Sequence, residues 1–163
     1  MKKSSKNDYP KFETWKWATY TSGVEYSLDK FLEENKENEF VFIGTDSKTV
    51  GKVTAFTSAI VAYKRHVGGK ILIHKSKVPS ISSMRQRLVV EAMRSLECAW
   101  YMNDKVSKDS VISIHLDVNS NIKFESSSCK EELVGMIVSQ GFTVSPKPVS
   151  WAATTVAHNR CKL

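Results

Sequence analysis

The stretch Glu39-Phe-Val-Phe-Ile-Gly-Thr-Asp46-Ser47 decides the reading of this chain. Its apolar run at residues 40–43 has the content of a buried strand, and the Gly-Thr-Asp-Ser that follows reads as the strand's polar exit. An acid set directly after a hydrophobic strand is lifted to the rim of a sheet. The pattern returns in Val111-Ile-Ser-Ile-His-Leu-Asp117-Val-Asn119, which gives an apolar strand, then an acid, then a small polar turn. If the two strands are adjacent and parallel, Asp46 and Asp117 open at one edge, where ligands of open α/β sheets bind.

Working outward, residues 54–64 and 70–77 are strand-like and are separated by His66-Val-Gly-Gly69. A Gly-Gly pair between two such runs reads as a hairpin, because glycine tolerates the positive φ of tight turns. The first three strands are therefore expected to form an antiparallel meander, which Pro79 and the cluster Ser80-Ile-Ser-Ser83 terminate. Ser83-Met-Arg-Gln86 has the form of a capping box and predicts a helix to about Met102. Leu88, Val89, Ala92, Met93, Leu96, Ala99 and Trp100 give it an apolar stripe at 3.6-residue spacing, with Glu91 and Glu97 on opposite flanks. Spacing does not choose between these two acids.

Upstream, Val24, Leu28, Phe31 and Leu32 fit a short amphipathic helix over residues 23–37. Residues 1–22, with Trp15, Trp17 and Tyr20, show no period and read as an arm packed on the surface or, alternatively, as stacking platforms for bases. Downstream, Ser128-Cys-Lys-Glu131 has the form of a second capping box, opening a helix through Leu133, Val134, Ile137 and Val138 that Gly141 closes. A short strand at 142–145 ends at Pro146-Lys-Pro148, and Ser150 is placed to cap a terminal helix containing Trp151, Ala152, Val156 and His158.

Composition bounds what this arrangement does. The 163 residues suit one domain with a full core, here taken as residues 23–163 behind an arm at 1–22. No apolar run approaches the roughly 18 residues of a membrane span, and the basic start at Met1-Lys2-Lys3-Ser4 leads into polar residues. The expectation is a cytoplasmic protein with no membrane partner. Cys98, Cys129 and Cys161 are widely spaced and odd in number, which suggests neither a zinc ribbon nor a disulfide framework. A net charge of +7 favours a polyanionic partner, since each cation that replaces a counterion at a phosphate adds sequence-independent affinity. Basic residues are dense at Lys64-Arg65-His66, Lys70, Lys75-Ser-Lys77 and Arg85-Gln-Arg87, a set equally readable as a solvated face. The segment Gly44-Thr-Asp-Ser-Lys-Thr-Val-Gly51-Lys52 has the wrong glycine spacing for a nucleoside-triphosphate loop, and Val53 stands where a metal-binding hydroxyl is needed.

Apart from the leading helix, the order of three strands, helix, strand, helix, strand, helix is that of the ribonuclease H-like fold. The segments Ile43-Gly-Thr-Asp-Ser47, Arg87-Leu-Val-Val-Glu91, His115-Leu-Asp-Val-Asn119 and Lys147-Pro-Val-Ser-Trp-Ala-Ala153 together resemble the YkuK-type bacterial branch of that superfamily, over roughly residues 24–162. The resemblance implies an α/β fold with a mixed five-stranded sheet, its first three strands antiparallel and the rest parallel, flanked by helices. It also implies a nuclease using two magnesium or manganese ions on RNA, an RNA–DNA hybrid or branched DNA, with a turnover-free nucleic-acid-binding module of the same fold as the alternative. Asp46 would bridge the ions while Glu91 and Asp117 complete the site, and it is the resemblance that favours Glu91 over Glu97. Plainer readings have Asp46 capping a turn with Ser47 and Asp117 forming an Asx-turn with Asn119. Nucleases of this kind carry a further acid on the terminal helix, but residues 151–162 contain none, and His158 is the available substitute. A neutral imidazole there would shift preference toward manganese. Carboxylates crowded in this way repel, so at least one should have a raised pKa without metal. The sequence leaves the oligomeric state open.

Overall fold

The apolar run that begins at Phe40 does not stop at Gly44. The strand continues through Asp46 to Val50, because the next strand pairs with it residue for residue from Phe40↔Tyr63 to Val50↔Val53. The expected exit at Gly-Thr-Asp-Ser is thus the middle of a strand, and the chain turns only at Gly51, whose φ of +58° a side chain would strain. Pairing across the whole hairpin outweighs the turn-like look of those four residues.

The computed structural model describes residues 10–119, 121, 123, 125–146, 151 and 156–160. In chain order the elements are β1 (Trp17–Thr19), α1 (Leu28–Glu34), β2 (Phe40–Val50), β3 (Val53–Lys64), β4 (Gly68–Pro79), α2 (Met84–Met102), β5 (Val111–Leu116), α3 (Lys130–Val138), β6 (Thr143–Pro146) and α4 (His158–Arg160). Short 3-10 turns stand at Phe12–Thr14 and Glu125–Cys129. One sheet has the order β1-β4-β3-β2-β5-β6, with β2, β3 and β4 antiparallel and β5 and β6 parallel to β2. The α/β class, the meander and the parallel second half are as the sequence predicts.

The sheet has six strands where five were expected. The sixth is β1, from the segment read as an arm, and it covers the edge of β4 in the register Trp17↔His74. The driving force is burial: Trp15 and Trp17 both enter the main core, and Trp15 stacks on His74 at 4.3 Å and 10°. These tryptophans are therefore structural and leave no face for a base. The short helix begins at Leu28, capped by Ser27, so Val24 lies before it and is 59% exposed.

The helix α2 starts as expected, with Ser83 Oγ accepting from the Gln86 backbone N–H at 3.3 Å. Its buried face is turned from the expected stripe. Glu91, Arg94, Ser95 and Cys98 are buried with Leu88, Ala92, Leu96, Ala99 and Met102, while Met93 and Trp100 are exposed, Trp100 by 44%. On this face Ser95 Oγ donates to Thr45 Oγ1 at 3.0 Å, Thr45 bonds Ser58 at 2.9 Å, and the Arg94 guanidinium lies over the rings of Trp15 and Phe56 at 5.2 and 4.6 Å. At the second supposed capping box Ser128 Oγ donates instead to the Glu125 carbonyl, and Cys129 precedes α3 without a side-chain cap. Gly141 follows α3 with φ +84°, as predicted. The proposed cap Ser150, together with Pro148, Ala152 and Cys161, lies outside the described residues. Cys98 and Cys129 are free, buried thiols.

The main core fills the side of the sheet under α2, α3 and α1. A smaller cluster of Ala59, Val61, Ile73, Val156 and Ala157 lies on the other side, next to α4. Among the described residues no helix is long and apolar enough to cross a membrane.

His74 supplies a test of the first core. Its Nδ1–H donates to the Lys16 carbonyl at 2.8 Å, and burial depresses its pKa from 6.5 to about 4. A depressed histidine is neutral in the fold and protonates in the unfolded chain, so its contribution is present above pH 6.5 and is lost as pH falls toward 4. Denaturant titrations should show a His74→Gln variant losing about 2 kcal/mol less stability than the wild type across that window. Parallel losses in the two proteins would mean that His74 titrates alike folded and unfolded.

Candidate active site

Three elements deliver the acids. The parallel register of β2 and β5 ends at Gly44↔His115, and carrying it on two residues sets Asp46 beside Asp117, just past the end of β5. There β5 stops while β2 continues alongside β3, which leaves the Asp46 edge of β2 free of a parallel neighbour. From the α2 side, Glu91 reaches the same level: Ser47 Oγ donates to Glu91 Oε1 at 2.6 Å. Thus the structure brings Asp46, Glu91 and Asp117 together. Glu97, the competing acid on α2, is only partly buried, and it senses Arg94 and Glu13 instead.

His158 reaches the group from α4. Its Nδ1 lies 2.9 Å from Asp46 Oδ2, with the imidazole N–H donating to the carboxylate. The helix is seated by Val156 and Ala157 on the second cluster. Trp151 packs edge-on against Phe42 at 5.1 Å and His115 at 5.5 Å. Trp151, the first residue of the distinctive Trp-Ala-Ala segment, thus packs on the strands that carry Asp46 and lead to Asp117.

The electrostatics are those of crowded, dehydrated carboxylates. Asp46 is 4% exposed and its pKa is pushed up to about 6 by burial first, then by the charge of Asp117, with the His158 hydrogen bond and charge opposing. Glu91 is 5% exposed and is held well above the usual carboxylate range by burial and by the charges of Asp46 and Asp117, against the Ser47 hydrogen bond and Arg87. Asp46 and Glu91 thus have the raised pKa anticipated for the group, with burial the larger cause and crowding the smaller. A hydrophobic core gains nothing from mutually repelling acids, and carboxylates perturbed in this way concentrate at functional sites.

This donor set, carboxylate oxygens with one imidazole, suits a hard divalent cation chemically. The geometry stops short of a finished cage. Among the described residues no three His, Cys, Asp or Glu side chains are grouped so as to hold an ion. Glu91 is engaged by Ser47 and Asp46 by His158, so a cation entering here would replace one or both of these hydrogen bonds.

Sequence reasoning missed Ser47 and His115 as parts of the site. Ser47 looked like a turn residue, and its strand position is what aims its hydroxyl at Glu91. His115 has its pKa lowered to about 4 by burial and is a neutral ring against which Trp151 packs.

A family model described as Ribonuclease H-like matches residues 24–162. Neither the curated proteins nor the solved structures yield a match to the chain.

Proposed function

The chain belongs to the ribonuclease H-like family, and we propose that it is a divalent-metal-dependent nuclease hydrolysing phosphodiester bonds in RNA, an RNA–DNA hybrid or branched DNA. The observation that carries this reading is the meeting of Asp46, Glu91 and Asp117 at one strand edge, with two of them disfavoured as anions by burial and by each other. Family membership points to nucleic acid as the partner, and the acids supply a reason for chemistry beyond binding.

Asp46, Glu91, Asp117 and His158 would hold magnesium or manganese, two ions in the full arrangement. Such cations orient an attacking water and stabilise the leaving oxygen of a phosphodiester. The protein's own part is positional and electrostatic. Ser47 fixes the rotamer of Glu91, and His158 fixes that of Asp46. Burial of both carboxylates keeps their field unscreened by water.

A second reading is favoured by two observations: residues 151–162 carry no acid, and no cage is assembled among the described residues. It is a nucleic-acid-binding module of the same fold without turnover. Incubating labelled hybrid, single-stranded RNA, single-stranded DNA and a four-way junction with the protein, in magnesium and in manganese, separates the two. Cleavage of one substrate that disappears in Asp46→Asn establishes the nuclease and its substrate class, whereas intact substrates with salt-sensitive binding establish the module.

A further inference from the structure

The sheet face that bears Asp46 also bears a group of lysines beyond it. Strand alternation puts Asp46 and Lys48 on one face of β2. The registers Asp46↔Thr57↔Lys75 and Lys48↔Ala55↔Lys77 put Lys75 and Lys77 on the same face of β4. All three lysines are exposed, and Ala55 and Thr57 between them are small and buried, so the cationic side chains stand over a low floor. The apolar packing beside α4 covers this face at Ala59, Val61 and Ile73, one step further from the strand ends.

Among the described residues these charges are not spent in ion pairs. Among the described residues Lys30, Lys36, Lys105, Arg65 and Arg85 form ion pairs with acids, and Lys48, Lys75 and Lys77 form none. Placed side by side, they repel one another and create a positive field directly next to the acidic site. That arrangement has a use if a polyanion lies across it.

We propose that Lys48, Lys75 and Lys77 form a track for the phosphodiester backbone next to the cleavage position, a proposal that rests on the nucleic-acid reading of the site. The dimensions suit neighbouring phosphates: Lys48 stands two residues from Asp46, about 7 Å along the strand, and β4 lies two strand spacings, about 10 Å, to the side. A strand with one phosphate at Asp46 crosses toward β4 with its next phosphates over the ammonium groups. Lysine ammonium groups are point charges that read no base, so the track fixes position and orientation without sequence preference.

The test is the salt dependence of affinity, measured in EDTA so that no turnover intervenes, with labelled single-stranded RNA and labelled RNA–DNA hybrid as probes. The triple variant Lys48→Ala, Lys75→Ala, Lys77→Ala is compared with Lys36→Ala, Lys105→Ala, Lys108→Ala, which removes equal charge near the opposite ends of β2 and β5. For the track variant the slope of log affinity against log salt should fall by about 2 to 3, and binding at low salt should weaken tenfold or more. The comparison variant should keep the wild-type slope. Equal losses from both variants, an unchanged slope in the track variant, or no binding of either probe by the wild type would each overturn the proposal. The outcome is separable from that of the nuclease reading. Cleavage with a slope indifferent to the three lysines removes the track alone, and a lysine-dependent slope in a protein that cleaves nothing removes the nuclease alone.

Discussion

Replacing Asp46 by Asn should lower metal-dependent cleavage about a thousandfold or more, equivalent to roughly 4 kcal/mol of lost transition-state stabilisation. The size follows from position. Asp46 is the acid with a partner on each side: Asp117 acts on it from β5, Glu91 senses it from α2 and His158 bonds it from α4. Removing its charge therefore takes away the shared member of the group, and the remaining acids cannot compensate from their own positions. Asparagine keeps the shape and can still accept from His158 Nδ1, so far-ultraviolet dichroism and nucleic-acid affinity in EDTA should match the wild type. The loss should appear in kcat with little change in KM, because ground-state contacts to the backbone are made elsewhere. Residual activity above about a tenth of wild type would mean that the carboxylate takes no part in the reaction. His158→Ala should cost less, about 10- to 100-fold, if the imidazole acts by orienting Asp46.

The sequence shows the order of the sheet because each strand carries its own local signal. The strand-like runs at 40–43, 54–64, 70–77 and 111–116 each contain β-branched apolar residues, and the breaks between them contain Gly or Pro. The antiparallel pairing of the first three strands follows from that order, whereas the parallel pairing that sets Asp46 beside Asp117 was expected only on the resemblance. Less legible is whatever depends on a residue's partner across the fold. Glu91 looked like a flank of α2 because the apolar stripe was drawn through Met93 and Trp100, but the helix turns Glu91 and Ser95 inward, where Ser47 and Thr45 supply polar partners. Val24 looked helical, yet the chain is still bridged to β1 next to it, at Ala18↔Glu25, and the helix waits for the Ser27 cap. Trp15 and Trp17 lacked a readable period because three residues of edge strand are too few to show one. The placement of His158 against Asp46, 112 residues away in sequence, had no local signal at all and came only from resemblance.

The same Asp46→Asn substitution should stabilise the metal-free protein, and the pH dependence of the gain has a definite sign. With a folded pKa near 6 against an ordinary value of 3.8, Asp46 is a group whose ionisation the fold resists. Above pH 6 it is charged in both states, and the folded protein carries the full cost of burying it next to Asp117. As pH falls from 6 to 3.8 the folded state takes up the proton first, and the cost disappears. Two pKa units correspond to about 3 kcal/mol, so Asp46→Asn should raise Tm in EDTA at pH 8 by roughly 6–12 °C, with the difference closing near pH 4. Buried histidines add an opposite trend to both proteins: His74 and His115, each lowered to about 4, weaken the fold as pH falls from 6.5, so the difference between variant and wild type is the quantity to read. Manganese at a hundred times its Kd should add about 2.7 kcal/mol to the wild type and little to the variant, which nearly cancels the difference. A variant gaining stability in EDTA and losing that advantage in manganese ties the repulsion at Asp46 to a cation. Lower stability of the variant in both conditions would instead assign Asp46 to holding α4 on the sheet through His158.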